Sequence, residues 1–176
     1  MTALDWRRLW EEAIRWDRFL TPTMELAALW TGVVRQASPL PWAVARLGTG
    51  DPPRFLSIAH DWCWDAANSM PWLAALVGAV PGAELRIILR DDHPEVIDQF
   101  LTNGTRSIPI VVGLGPNDTI LGHWGPRPAK LQAWVVENKP TMPKDQRYVE
   151  MRRWYLRDKG ESTIREILTA IGRIER

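Results

Sequence analysis

The stretch Phe55-Leu56-Ser57-Ile58-Ala59-His60-Asp61-Trp62-Cys63-Trp64-Asp65-Ala66-Ala67 decides how this chain of 176 residues is read, and it holds the only cysteine. Phe55 to Ala59 is a short apolar run of strand character, and Ala66 to Val80 is helix-compatible with Pro71 inside it. A strand that feeds a helix through a turn at Trp62-Cys63 sets the sulfur at a helix N-terminus. There, unpaired backbone N–H groups and the positive end of the dipole favour an anion. The expectation is therefore a thiolate at neutral pH, because such sites lower a free cysteine from about 8.5 to roughly 3.5–7.5. The alternative for a lone cysteine is a small buried hydrophobe.

Outward from this stretch the chain alternates. Strand 54–59 leads to helix 63–79, and the Pro81-Gly82 turn leads to strand 84–90. A helix over 94–102 enters through His93-Pro94, strands 109–114 and 119–124 flank Pro116-Asn117-Asp118, and a helix over 127–138 closes the unit. A βαβ half joined by a helix to a ββα half predicts an α/β domain, a mixed sheet with helices on both faces.

Before this core, Trp6, Leu9, Trp10, Ala13 and Ile14 fall at helical spacing and predict a helix over 5–20, with Asp5 as its cap. Thr21-Pro22 reads as an N-cap followed by proline at the first helical position, opening a second helix that runs to about Gln36. Ser38-Pro39-Leu40-Pro41 breaks it, Trp42 to Leu47 is a short helical piece, and Gly48 to Pro53 is a linker. After the core, a helix over 144–158 ends at Gly160, and Ser162 caps a last helix. That helix carries the stripe Ile164, Ile167, Leu168, Ile171 and Ile174. The stripe docks on its own domain, with a homodimer seam as the alternative. The division is an N-terminal helical extension over 1–53, a core over 54–140 and C-terminal helices over 141–176.

Several motifs together carry a resemblance. Trp62-Cys63-x-x-Ala66 resembles the thioredoxin Trp-Cys-x-x-Cys motif with its second cysteine replaced by Ala66. Pro71, eight residues after Cys63, stands where thioredoxins carry the proline of the active-site helix, and Ser107-Ile108-Pro109 resembles their cis-proline element. Asp61-Trp62-Cys63-x-Asp65-Ala66, Leu89-Arg90-Asp91, the run Asp98 to Gly104 with Arg106-Ser107-Ile108-Pro109, and Trp124-Gly125-Pro126-Arg127 narrow it further. They are similar to the bacterial single-cysteine thioredoxin family proteins, over about residues 54–138. The resemblance implies a thioredoxin-like fold with helical extensions at both ends. It also implies that Cys63 faces a cis proline at Pro109, where the backbone at Ile108 can pair with an extended substrate.

Composition sets limits on function. Apolar residues at 45% and charged ones at 24% suit a globular domain, and a net charge of +1 gives no electrostatic case for nucleic acid or a membrane surface. Charge at Asp5, Arg7 and Arg8 sits where a signal peptide needs an apolar core, and no apolar run is long enough to span a bilayer. One cysteine excludes an intramolecular disulfide and fits a reducing compartment, so the expected location is the cytoplasm. Most of the eleven tryptophans, Trp124 included, read as core. Trp62 and Trp64 flank the sulfur instead.

The expected chemistry centres on Cys63. A second thiol normally resolves the mixed disulfide formed by the first, and with Ala66 in its place an external thiol must do so. Ser57 stands six residues before Cys63, where dithiol thioredoxins hold a buried aspartate that serves the second sulfur. Asp65 reads as a base beside the sulfur or as an acid capping the helix start, and its charge opposes thiolate formation. Trp62, Trp64, Ile108, Pro109 and Arg106 are candidate substrate contacts, with His60 and Arg127 as auxiliary charges. No metal is expected, because His60 and Cys63 lack ligand spacing with a third residue. No cofactor is expected beyond a low-molecular-weight thiol as co-substrate. The leading function is a single-cysteine thiol–disulfide oxidoreductase acting on a protein or small-molecule partner. The alternative is a binding module without turnover, and a weaker third reading is a peroxide-reacting thiol.

Overall fold

Leu9, Trp10 and Ala13 carry the N-terminal segment into the core, but not as the single helix that their spacing predicts. In a computed structural model describing residues 4–175, α1 (Trp6–Glu12) is capped by Asp5, whose carboxylate accepts from the Arg8 N–H at 3.0 Å. The chain then turns extended at Ala13, and β1 (Ile14–Arg15) pairs antiparallel with a later strand before α2 (Trp16–Phe19). Helical periodicity there yields to the need of a sheet edge for a partner.

The next helix also starts later than Thr21-Pro22 suggests. α3 (Ala27–Gln36) follows a left-handed Leu26 at φ +53°, and the segment before it is held by a distant carboxylate described below. α4 (Pro41–Leu47) takes in Pro41, read from the sequence as part of the breaker, at its first turn, where the missing N–H costs nothing. β2 (Arg54–Ala59) leads through Cys63 into α5 (Trp64–Gly78), and β3 (Glu84–Leu89) returns parallel to β2. The helix expected over 94–102 is only one turn long, α6 (Pro94–Ile97). Residues 98–105 leave it for a turn closed by mutual Thr102 and Thr105 main-chain bonds, with Asn103 and Gly104 left-handed.

β4 (Ile110–Leu114) and β5 (Ile120–Trp124) form the antiparallel end of the sheet. The strand order is β1-β3-β2-β4-β5, a mixed five-stranded sheet flanked by helices, which is the thioredoxin-like arrangement. β2, central in that order, is buried on both faces apart from Arg54. α7 (Ala129–Asn138), α8 (Lys144–Asp158) and α9 (Glu161–Ala170) complete the chain. At the junction of the last two helices it is Asp158, not Ser162, that caps, accepting from the Ser162 N–H at 3.1 Å; Lys159 and Gly160 are both left-handed.

The stripe on α9 is buried within its own chain. Ile164, Ile167, Leu168 and Ile171 join the main core, so they present no free seam to a second copy. Their seat is made by Gly113 and Gly122, cross-strand partners on β4 and β5. A side chain at Gly122 would run into the Ala170 carbonyl, and one at Gly113 into Ile171. Leu131, Val135, Met151 and Tyr155 form a second, smaller cluster that holds α7 against α8. None of the described helices is long and apolar enough to cross a membrane.

Candidate functional site

Cys63 is the N-cap residue of α5, where its extended backbone leaves the first helical N–H groups open to a side-chain acceptor. The Ala66 N–H donates to Cys63 Sγ at 3.4 Å, and the thiol in turn faces the Ile108 carbonyl oxygen at 3.4 Å. The bond that follows, Ile108–Pro109, is cis, and both residues are buried. A second cis bond, Gly125–Pro126, lies just beyond β5 and was not read from the sequence. Sulfur, helix N-terminus and Ile108 thus meet as the motifs imply.

The expected thiolate is overturned. Cys63 is only 6% exposed. Burial first, and then the charge of Asp65, push its thiol up to about 12, against the pull of the Ala66 and Asp65 N–H groups and of Arg127. At a helix start open to water the N–H groups would win; here desolvation of the charged form is larger. Ser57, six residues before Cys63, is buried with its hydroxyl on Met70 Sδ at 3.1 Å, and supplies no carboxylate beneath the sulfur.

Asp65 has become the centre of a buried network. Its carboxylate pairs with Arg127 at 2.7 Å and accepts from the Tyr155 hydroxyl at 2.9 Å. Burial raises the Asp65 carboxyl above its usual range, with the Arg127 guanidinium and Tyr155 hydroxyl pulling the other way. Burial likewise holds the Tyr155 phenol well above its ordinary value, reinforced by the Asp65 charge. Arg127 also donates to Gln132 at 2.8 Å. One turn along α5, Asn68 accepts from Arg152 of α8 at 2.7 Å. Tyr155, Asn68 and Arg152 escaped the sequence reading, because nothing local links positions some eighty to ninety residues apart.

The two flanking tryptophans are both occupied. Trp62 stacks on the His60 ring at 4.9 Å and lies beneath Arg90, whose guanidinium is 4.6 Å from the ring centre. Trp64 stacks on Tyr148 of α8 at 5.3 Å. His60 itself turns its ring nitrogens to Asp61 at 2.7 Å and Asp91 at 3.9 Å. Arg106, expected near a substrate, stands exposed in a two-pronged pair with Asp98 at 2.6 and 2.7 Å. Trp124 is buried as expected, with its Nε1–H on Glu166 at 2.8 Å.

Asp61 ties the site to the N-terminal segment. Its carboxylate accepts from the Glu25 N–H at 2.8 Å, and its carbonyl accepts from Trp30 Nε1–H at 2.7 Å. Burial works against its charge, but the Glu25 N–H and His60 hold the carboxyl below its usual value. These bonds explain why α3 begins at Ala27, since residues 21–26 are drawn toward the turn before Cys63. Among the described residues no group of three or more histidine, cysteine or acidic side chains converges as metal ligands would.

A family model described as Thioredoxin matches residues 43–147. No curated protein matches the chain. Among solved structures, a protein of unknown function from Pseudomonas aeruginosa, PA1234, is 17% identical, with a TM-score of 0.74 over 95% of this chain and 96% of that one. An HIV epitope-scaffold (4E10) is also 17% identical, with a TM-score of 0.72 over 94% of this chain and 96% of that one. Identity this low bears on the fold alone.

Proposed function

This chain belongs to the thioredoxin family, and from that premise we propose that Cys63 is a single-thiol exchange site. The observation that carries the reading is the seat of Sγ, between the Ala66 N–H and the Ile108 carbonyl at 3.4 Å each. In the first step the Cys63 thiolate attacks one sulfur of a partner disulfide. A bond forms between Cys63 and that sulfur, the old S–S bond breaks, and the other sulfur leaves as a thiolate. In the second step an external thiolate attacks the captured partner's sulfur, Cys63 is released as a thiolate, and a new disulfide departs. Ala66 cannot perform this second step, so the co-substrate thiol is obligatory.

Ile108, which meets the sulfur, and its neighbour Pro109, with Trp62 beside Cys63 in the chain, receive the partner in this reading. Asp65 acts through its charge on the sulfur as a positioning residue, and Arg127 serves Asp65 rather than substrate. The raised thiol makes the resting site slow at neutral pH and faster in alkali, because only the thiolate attacks. A second reading, a binding module without turnover, is favoured by the same burial of the sulfur and by the stacked tryptophans.

The test is exchange with 2-hydroxyethyl disulfide, with reduced glutathione as the external thiol, followed from neutral to alkaline pH. The expected result is a rate that climbs with pH and disappears in Cys63→Ser, with a trapped Cys63 adduct visible by mass spectrometry. Absence of any adduct in alkali, or equal rates in Cys63→Ser, overturns the exchange site and leaves the binding module.

A further inference from the structure

On the far side of the Asp65 network the surface forms a half-open cleft of about 490 Å³, within the range of small-molecule sites. It lies where the loop after α3 meets α5 and α8. Val33, Leu40 and Trp72 supply apolar walls, and Tyr155 borders it. Its charges are of one sign. Arg152 and Lys159 line it, and none of the lining side chains is acidic.

Neither cation is neutralised by a carboxylate among the described residues. Arg152 donates only to the neutral Asn68 amide, at 2.7 Å, and burial lowers its pKa with no anion to offset the loss. Lys159 is fixed in the left-handed conformation at φ +50°, at the end of α8. Two cations on an otherwise apolar and neutral wall complement an anion attached to a hydrocarbon body, since a charge-assisted bond is worth more where water is partly excluded.

We propose that this cleft binds a small amphipathic carboxylate, with its head group between Arg152 and Lys159 and its chain against Val33, Leu40 and Trp72. The bound molecule would touch α5 and α8 together and so tighten the seam that holds Asp65. The inference does not rest on the chemistry of Cys63.

Calorimetric titration of the full chain with octanoate, octanol and inorganic phosphate tests it. Octanoate is expected to saturate one site, with octanol at least about tenfold weaker and phosphate not saturating. Lys159→Asn suits the left-handed position while removing the charge, and is expected to weaken octanoate about tenfold and leave octanol unchanged. Arg152→Gln should act in the same direction, and Cys63→Ser should bind as the parent does. Equal affinity for octanoate and octanol, saturation by phosphate alone, or an unchanged octanoate titration in Lys159→Asn would each overturn the proposal.

Discussion

On one flank of Cys63, Asp61 and Trp62 are held by single hydrogen bonds and stacked rings, in bonds that are exposed at Glu25 and only part-buried at Trp30. On the other flank, Trp64 and Asp65 are held by α8 and by a buried ion pair. The N-terminal segment reaches the first flank at Asp61 and α8 reaches the second at Trp64 and Asp65, so each extension touches one side of the sulfur. The difference teaches where fragility lies. Half-exposed bonds exchange with water and are worth about 1 kcal/mol apiece, whereas a buried charge without its partner costs several. The C-terminal flank therefore governs both stability and the charge state of the sulfur, while the N-terminal flank mainly fixes shape.

Arg127→Met is expected to strike hardest, at about 3–5 kcal/mol in urea unfolding, because it strands the Asp65 carboxylate in the interior. Adding Asp65→Asn should recover part of that loss, since the pair vanishes together. Tyr155→Phe removes one hydroxyl from the same carboxylate and should cost about 1–3 kcal/mol in the same measurement. Asp61→Ala, on the other flank, should cost only about 1 kcal/mol. If Asp61→Ala matched Arg127→Met, the asymmetry between the flanks would be gone.

The two flanks should also part company along the pH axis. The Asp61 carboxyl is lower in the folded chain than in the unfolded one. Its contribution is thus full above about pH 4 and fades as pH falls through the lower folded value, so the gap between parent and Asp61→Ala should close in acid. Cys63 runs the other way, since its folded thiol is raised to about 12. Its contribution is full below the unfolded value of about 8.5 and is lost as pH climbs toward the folded one. The parent should therefore lose stability through that alkaline window more steeply than Cys63→Ala. Asp65→Asn removes a charge that opposes the thiolate, so iodoacetamide should label Cys63 faster at a given pH than in the parent.

Much of the frame was legible because it is local. Strand, turn and helix around Cys63 follow from hydrophobic spacing, and the cap position of the sulfur from the helix start. The cis bond before Pro109 came from family resemblance and could not have come from spacing. What escaped the sequence was set at a distance. Ile14 obeys a helical period, yet the unfilled edge of β3 draws it, with Arg15, into a strand. Thr21-Pro22 carries a helix-start signal, yet Asp61 takes the Glu25 N–H and delays the helix. The cap position of Cys63 follows from its local sequence, but its charge state does not. The rule for helix starts assumes access to water, and the burial and the Asp65 charge that override it come from packing.

The facing pair Gly113 and Gly122 has a use outside this molecule. Two bare positions opposite one another on the last hairpin make a saddle that takes the Ala170 carbonyl over Gly122 and the Ile171 side chain over Gly113, and α9 ends in it. In a related sequence, alanine or anything bulkier at either place would forecast a terminal helix seated elsewhere. Those two letters thus become a marker for sorting relatives that share the appended helix from those that have only the sheet.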